Sequence, residues 1–339
     1  MKFIPDPGAG SAQAGLFYGV NEAHITEAIK LGNVYAANDG NLDASPLGLS
    51  QPLTQYVTGI QDEEGLDVLL ESIAPSVPVG RRFSYLNETE SEAMQKRDLA
   101  AITRPIHGEF PILRPTGSQT DGSTDNIGLC MYVDIDQGGL LPAVQQRKVA
   151  SLRNMIYRSQ IADALAKIDA AAVGDTTKNW GDSASDPDSD IDEMIDAGGD
   201  AGGEDNNIVV FGHGAFRKRR RAYRQAARLN SNADANALPD ELRDLYQVDR
   251  VVNIRSRYRT SATATARLLA DKVYTYNARP GMTEMDSSHI KRFVTMTESG
   301  MLRVFIGVES HRVKIIVDGY QRNTITRALG IRKRAVTYS

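Results

Sequence analysis

The sequence predicts an α+β fold, and two observations carry this prediction. One is a single long helical pattern over residues 142–173, and the other is a series of strand-type segments before and after it. The chain has 339 residues, of which 41% are hydrophobic and 24% are charged. Such a chain is long enough for two modest domains or one elaborated domain. Its formal net charge of -4 is too small to indicate a partner.

Residues 1–80 are predicted to form an arm followed by a lead-in helix. The first fifty residues contain five glycines before Asn33, short apolar steps such as Leu16 and Phe17, and a polar stretch over 38–50, and only 22–31 has a helical pattern. A segment that buries so little is ordered only when it lies on something else. The lead-in helix, over about 62–73, places Leu66, Leu70 and Ile73 on one face and stops before Pro75.

Residues 81–136 are predicted to be extended segments with long polar connections. Apolar side chains mark three strand segments. The first contains Val77, Val79, Phe83 and Tyr85, the second contains Phe110, Ile112 and Leu113, and the third contains Leu129, Met131, Val133 and Ile135. The connections 87–96 and 114–126 are almost entirely polar. Connections of this length are usually functional or disordered. The alternative is a projecting hairpin that packs on a neighbouring subunit.

The helical pattern over 142–173 has Pro142 in its first turn and no later proline or glycine before Gly174. At about 1.5 Å per residue, such a helix would be on the order of 45 Å long. Its apolar residues recur at helical spacing with a slip of one between Ile156 and Ile161. The helix is either a strut that spans the molecule or an ordinary core helix.

The acidic stretch that follows resembles the start of a calcium loop, because aspartates occupy positions 186, 188, 190 and 192. The match then fails, since Ile191 stands where the loop needs glycine and Ala197 where it needs glutamate. We expect a loop followed by an acidic helix that Asp188, Ser189 or Asp190 caps.

A basic helix is predicted after a strand at 208–211 and a turn at 212–214. Its arginines Arg217, Arg221, Arg224 and Arg228 lie on one helical face. Such a face can contact the phosphates of a polyanion, but it can also be solvated or meet acidic neighbours.

The remaining chain is predicted to be mostly β. Strands are expected at 248–254 and 272–276 around a flexible polar segment at 255–265, then at 293–296, with a long hairpin over 302–317. The basic segment 322–334 either faces a polyanion or closes a sheet.

No pattern indicates catalysis. The five histidines are scattered without metal-ligand spacing, and Cys130 has no base beside it in the sequence. The chain has no phosphate loop and no nucleophile elbow. We therefore predict no enzyme activity, no cofactor and no metal site. No apolar run reaches the length of a membrane span and no signal segment is evident, so we predict a cytosolic product without membrane contact.

The order of these parts resembles that of the major capsid proteins of tailed bacteriophages, which have the Hong Kong 97-like fold. The local matches, in chain order, are Val77 and Val79 before Phe83 and Tyr85, then Trp180 with 185–187 and 190–191, then 209–212 with Phe216, and 270–274. Together they cover most of the chain beyond residue 55. Two positions depart from the pattern. Similar proteins often have proline where this chain has His213, and tryptophan where it has Phe216. Both substitutions keep the turn and an aromatic anchor.

The resemblance implies a domain organisation. The N-terminal arm and lead-in helix would occupy 1–80, and the extended loop would occupy 81–136. The peripheral domain would comprise 137–207 and 285–320, with the spine helix at 142–173. The axial domain would comprise 208–284 and 321–339.

The resemblance also implies a structural protein that assembles into hexamers and pentamers of an icosahedral head around double-stranded DNA. Expected partners are further copies of the chain, portal, scaffold and decoration proteins, and the packaged DNA through non-specific contacts. The expected location is the virion, after assembly in the host cytoplasm. The residues expected at subunit contacts are Phe17, Tyr18, Phe83, Tyr85, Ile112 and Leu113, unless they pack within one subunit. Two alternatives stay open: an encapsulin-like nanocompartment shell, and a basic nucleic-acid-binding module.

Overall fold

The computed structural model describes residues 47–59, 65–87, 104, 118–182, 185–224, 236–281, 288–297 and 300–339. The helices are α1 (Gln51–Gly59), α2 (Leu66–Ile73), α3 (Pro142–Ala171), α4 (Pro187–Gly202), α5 (His213–Arg224) and α6 (Pro239–Leu245). The strands of the first half are β1 (Gly48–Leu49), β2 (Ser76–Pro78), β3 (Arg82–Asn87), β4 (Ser118–Ser123), β5 (Asp125–Asp134), β6 (Val173–Gly174) and β7 (Lys178–Asn179). Those of the second half are β8 (Ile208–Gly212), β9 (Arg250–Ile254), β10 (Arg257–Arg259), β11 (Thr265–Arg267), β12 (Lys272–Tyr276), β13 (Ile290–Thr295), β14 (Arg303–Glu309), β15 (Arg312–Ile325) and β16 (Arg332–Thr337).

Helix α3 is the long helix that the sequence predicts. It starts at Pro142 as expected and ends two residues before the predicted end, because Ala172 takes an extended conformation and leads into β6. The slip between Ile156 and Ile161 reflects burial on more than one face, since Tyr157 and Gln160 are buried as well. The helix thus packs against partners on two sides.

The first sheet has the strand order β1-β14-β15-β13-β2, and β5 pairs with the other side of β15. The predicted hairpin over 302–317 is present as β14 and β15, with Ser310 in the turn at a positive φ of 47°. Strand β15 continues to Ile325 and pairs there with β13, which begins three residues earlier than the predicted 293–296 strand.

The second sheet has the strand order β6-β16-β12-β8-β9, and β7 also pairs with β16. Its strand β16 contains the end of the basic segment 322–334. Arg334 in β16 is only 6% exposed and forms ion pairs with Asp190 at 3.2 Å and Asp175 at 3.4 Å. Of the two expectations for this segment, the closing of a sheet is the one that β16 confirms.

One core joins both sheets to α3. Its members include Ile161 and Leu165 of the helix, Ile315 of the first sheet and Val210 of the second. Near the end of α3, Asp169 accepts hydrogen bonds from Lys272 Nζ at 2.8 Å and from Tyr274 Oη at 2.9 Å. Burial raises the pKa of Asp169, but these hydrogen bonds outweigh burial and the net pKa is lowered.

Helices α4 and α5 share a second core cluster with the outer face of the second sheet. Met194 of α4 and Ala215 of α5 pack there with Phe211 of β8 and Val273 of β12. The predicted caps of α4 are wrong by two residues or more. Asp186 is the cap and its side chain accepts from the Asp188 N–H, because Pro187 occupies the first helical position and has no N–H to offer.

The predicted turn at 212–214 is also wrong, because strand β8 passes directly into α5 at His213. The two glycines serve close packing instead. A side chain at Gly212 would collide with the carbonyl oxygen of Ala270, and one at Gly214 with the carboxylate of Asp271. The two glycines that predicted a turn therefore allow two backbone segments to approach each other closely.

The segment 255–265, expected to be flexible and polar, contains β10 and leads into β11 as a two-stranded sheet. The predicted helix at 22–31 lies outside the described residues. In the described part of the chain, no helix combines the length and the apolar character that crossing a membrane would require.

The burial of α3 predicts that two apolar residues of this helix contribute very differently to the free energy of unfolding. Ile161 is fully buried and Met155 is 44% exposed. We expect Ile161→Ala to lower the free energy of unfolding by about 2–5 kcal/mol, because it leaves a cavity in the shared core. Met155→Ala is the matched control and should change it by less than about 0.5 kcal/mol. Urea denaturation of the unassembled subunit measures both, and equal effects would contradict the described packing of α3.

A buried histidine lies where the chain crosses between the two sheets. His289 is 2% exposed, and its Nδ1 accepts a hydrogen bond from the Asn277 N–H at 2.7 Å. Gly330 lies against the ring, since a Cβ there would come 2.6 Å from Nε2. Burial lowers the pKa of His289 from 6.5 to about 4.

This pKa makes stability depend on pH. The unfolded chain binds a proton at His289 as the pH falls below 6.5, whereas the folded chain stays neutral there down to about 4, so stability is full above 6.5 and falls toward 4. We expect the wild type to lose about 2 kcal/mol more than His289→Gln between about pH 8 and pH 5. The exposed His311 provides the control His311→Gln, which should behave as the wild type. Parallel pH profiles for the wild type and His289→Gln, from denaturant unfolding, would refute this role.

Candidate functional site

Strands β3 and β4 form a two-stranded ribbon that belongs to neither large sheet. They pair antiparallel, with Phe83 opposite Gly122 and Tyr85 opposite Thr120. The expectation that 114–126 is only a connection is wrong, because Ser118–Ser123 is β4 and β5 begins at Asp125. Polar residues form this strand because backbone hydrogen bonds to β3 hold it, without an alternating apolar face.

An aromatic cluster fixes the base of the ribbon to the first sheet. Phe293 of β13 is fully buried, and its ring centroid lies 4.2 Å from that of Phe83 and 5.5 Å from that of Tyr85. Gly122 permits this packing, because a Cβ at that position would come 2.7 Å from the Phe83 ring. The Thr124 and Thr295 hydroxyls add a hydrogen bond of 2.8 Å.

Packing within the subunit therefore accounts for the burial of Tyr85, which is 9% exposed, and for the partial burial of Phe83. Their role at a subunit contact stays a prediction. The other four residues expected at such contacts, namely Phe17, Tyr18, Ile112 and Leu113, lie outside the described residues.

Helix α5 carries the predicted arginine face. Arg217, Arg221 and Arg224 are exposed, and Arg228 lies outside the described residues. Arg221 stacks on the Tyr338 ring at 5.4 Å, and Arg224 donates to Asn236 Oδ1 at 3.0 Å. Their contact with a polyanion stays a prediction.

Arg219, on the other side of α5, is 1% exposed and forms a bidentate ion pair with Asp188 at 2.7 Å. Burial opposes the charge of Arg219, but the Asp188 carboxylate raises its pKa above the ordinary value. This arginine therefore joins α5 to α4 and has a structural role.

Sequence reasoning missed a basic patch, which comprises Arg217, Arg255, Arg257 and Arg267. Arg257 and Arg267 stand directly opposite each other on β10 and β11. Burial, then the charges of Arg257 and Arg217, lower the pKa of Arg267, and the Asp271 carboxylate offsets part of this effect. Burial and then Arg267, with smaller effects of Arg255 and Arg217, lower the pKa of His213 as well. The missed signal was the alternation of arginine and tyrosine over 257–259.

The aspartates of the acidic run do not converge on a cation. Asp186 caps α4 and accepts from Tyr223 Oη at 2.7 Å, Asp188 binds Arg219, and Asp190 accepts from Trp180 Nε1 at 2.8 Å. Alternate residues of a helix point to different sides, so this divergence follows from the helix itself. Within the residues described, no three histidine, cysteine, aspartate or glutamate side chains form a group suited to a metal ion.

No protein-family model matches the chain, and no curated protein matches its sequence. Among solved structures, it is similar to a phage-related protein from Bordetella bronchiseptica, with a TM-score of 0.60 and 13% identity over 86% of this chain and 98% of that chain. A virus-like particle from Pyrococcus furiosus matches with a TM-score of 0.49 and 10% identity, over 83% of this chain and 97% of that chain. A cyanophage capsid structure matches with a TM-score of 0.47 and 9% identity, over 79% of this chain and 88% of that chain.

The likeness to the phage-related protein extends over nearly all of that protein and most of this chain. It confirms the predicted α+β class and the predicted Hong Kong 97-like fold.

The aromatic cluster predicts that the ribbon depends on Phe293. We expect Phe293→Ala to lower the free energy of unfolding by about 3–5 kcal/mol and to speed amide exchange in β3 and β4 more than in β8, because the base of the ribbon loses its packing. Hydrogen exchange with mass spectrometry measures this, and Phe293→Leu serves if the alanine variant does not fold. The control is Tyr132→Ala, at a residue that is 46% exposed. Unchanged exchange in the ribbon of a folded variant would contradict the anchoring role.

Proposed function

We propose that this chain is the major capsid protein of a tailed bacteriophage and that it builds the shell of the phage head. The observation that carries the proposal is the ribbon of β3 and β4, which an aromatic cluster at its base attaches to a Hong Kong 97-like body. The proposed role is structural and not catalytic.

The physics of the ribbon supports assembly. A two-stranded sheet is at best marginally stable in water, because it has no second layer on which to bury its side chains. Packing on a neighbouring subunit would supply that layer and would order the ribbon on association. A contact of this kind is heterologous, so its repetition closes into rings. We propose that these rings are the hexamers and pentamers of an icosahedral shell.

The two sheets support a division into a peripheral and an axial domain. We propose that α3 and the first sheet form the peripheral domain and that the second sheet forms the core of the axial domain. Two boundaries differ from those expected from the resemblance. Helix α4 packs on β12 and β16, which supports a place for it in the axial domain. Strand β15 pairs with β13 up to Ile325, which supports a place for 321–325 in the peripheral domain.

The partners we propose follow from this function. They are further copies of the chain, portal, scaffold and decoration proteins, and packaged double-stranded DNA that the shell contacts non-specifically. The proposed location is the virion, with assembly in the host cytoplasm.

A nanocompartment shell would have the same assembly mechanism and differs in its contents. Shells that form from the chain alone and enclose proteins instead of DNA would favour it.

Deletion of residues 88–109 tests the proposal. The wild-type chain should form rings or shells tens of nanometres across in negative-stain electron microscopy, with a matching sedimentation coefficient. The deletion keeps β3 and β4 and should leave a folded subunit that forms no shells, because the ribbon can no longer reach a neighbour. A variant in which glycine and serine replace the same residues controls for chain length.

Intact particles from the deletion variant would overturn the proposed role of the ribbon. A wild-type chain that forms only a small oligomer and binds DNA with steep salt dependence would overturn the capsid function in favour of a nucleic-acid-binding module.

A further inference from the structure

The basic patch is only partly compensated within the subunit, because Asp271, the carboxylate that acts on Arg267, pairs with Lys218 at 3.0 Å. Arg217, Arg255 and Arg257 are exposed, and none of the four arginines forms an ion pair in the described part of the chain. Like charges placed directly opposite on two strands destabilise a hairpin, and Arg257 opposite Arg267 is such a pair. Tyr258, which directly follows Arg257 in β10, is 44% exposed. An arrangement that costs stability in the isolated subunit indicates an anionic partner.

Helix α4 carries an acidic stripe, whose charge is opposite to that of the basic patch. The stripe consists of Asp192, Asp196 and Asp200, which follow each other at intervals of four residues and therefore lie on one helical face. All three are exposed, and none forms an ion pair among the residues that the structure describes. Burial raises the pKa of Asp192, and the neighbouring Asp188, Asp196 and Asp186 raise it further.

The patch and the stripe lie on different parts of the second sheet. Helix α4 packs over β12 and β16, next to the edge formed by β6 and β7. The basic patch lies at the end of the sheet where β8 and β9 finish and β12 begins, and it includes Arg217 of the helix that starts at the end of β8. The acidic stripe and the basic patch are therefore separate surfaces of one subunit.

We propose that the acidic stripe of one subunit binds the basic patch of the next subunit in a ring. This inference rests on the proposed shell function and names the two surfaces that meet around the capsomer. The two surfaces differ in charge, so the contact is heterologous and leaves one surface free at each end of an open chain of subunits. When the ring closes, the acidic stripe at one end of the chain of subunits binds the basic patch at the other end. Complementary charge also excludes the head-to-head arrangement, which would oppose like charges.

Charge reversal tests the contact. The acid-reversed variant is Asp192→Lys with Asp196→Lys, and the base-reversed variant is Arg257→Glu with Arg267→Glu. Each should weaken self-association at low salt on the order of tenfold or more, measured by analytical ultracentrifugation, because like charges then face each other. The fourfold variant that combines them should restore association, since every contact is complementary again.

A matched control reverses an exposed ion pair on α6, with Arg243→Glu and Asp244→Lys, and should associate as the wild type does. Circular dichroism and thermal melting of every variant check that the subunit is folded.

Several results would overturn the contact. One is a wild-type chain that stays monomeric at low salt, and another is a fourfold variant that fails to recover. A base-reversed variant that assembles normally but loses affinity for DNA would assign the patch to nucleic acid instead. Normal shells from both the acid-reversed and the base-reversed variant would reject this contact and leave the proposed capsid function standing. A wild-type chain that forms only a small oligomer and binds DNA with steep salt dependence would reject that function instead.

Discussion

The structure depends on the burial of α3 between the two sheets. Its side chains at 161, 164 and 168 are fully buried in the core that both sheets share. Each sheet collects strands from distant parts of the chain, so neither could hold its strands together through local contacts alone. The helix supplies a common surface for them. Tyr276 of the second sheet strengthens the connection, because its hydroxyl donates to the carbonyl oxygen of Ile73 at the end of α2.

Sequence reasoning succeeded where burial left a periodic pattern. The apolar stripe of α3, the alternation in β14 and the strand at 272–276 all report a face that must be buried, and their positions were predicted to within a few residues. It failed where backbone pairing alone defines a strand. The side chains of Ser118–Ser123 are polar or small, and those of Arg257–Arg259 are all exposed, so neither segment carries the signature of a core.

The candidate site was only partly predictable for the same reason. The arginine face of α5 is visible as a helical spacing, and Arg217 belongs to it. The basic patch also needs Arg267, which is fifty residues further along the chain and reaches the patch through the pairing of β10 with β11. The sequence singles out Phe83 and Tyr85 for subunit contacts or for packing within one subunit, but it does not identify their partner Phe293, because sequence spacing does not report contacts between distant strands.

The position of β16 has a consequence for biosynthesis. This strand lies inside the second sheet, between β12 and the short strands β6 and β7, yet the ribosome makes it after every other described strand. A nascent chain therefore lacks the strand that joins these neighbours, together with the Arg334 ion pairs to α4. The order of translation thus delays completion of the second sheet until the last of its strands has been made.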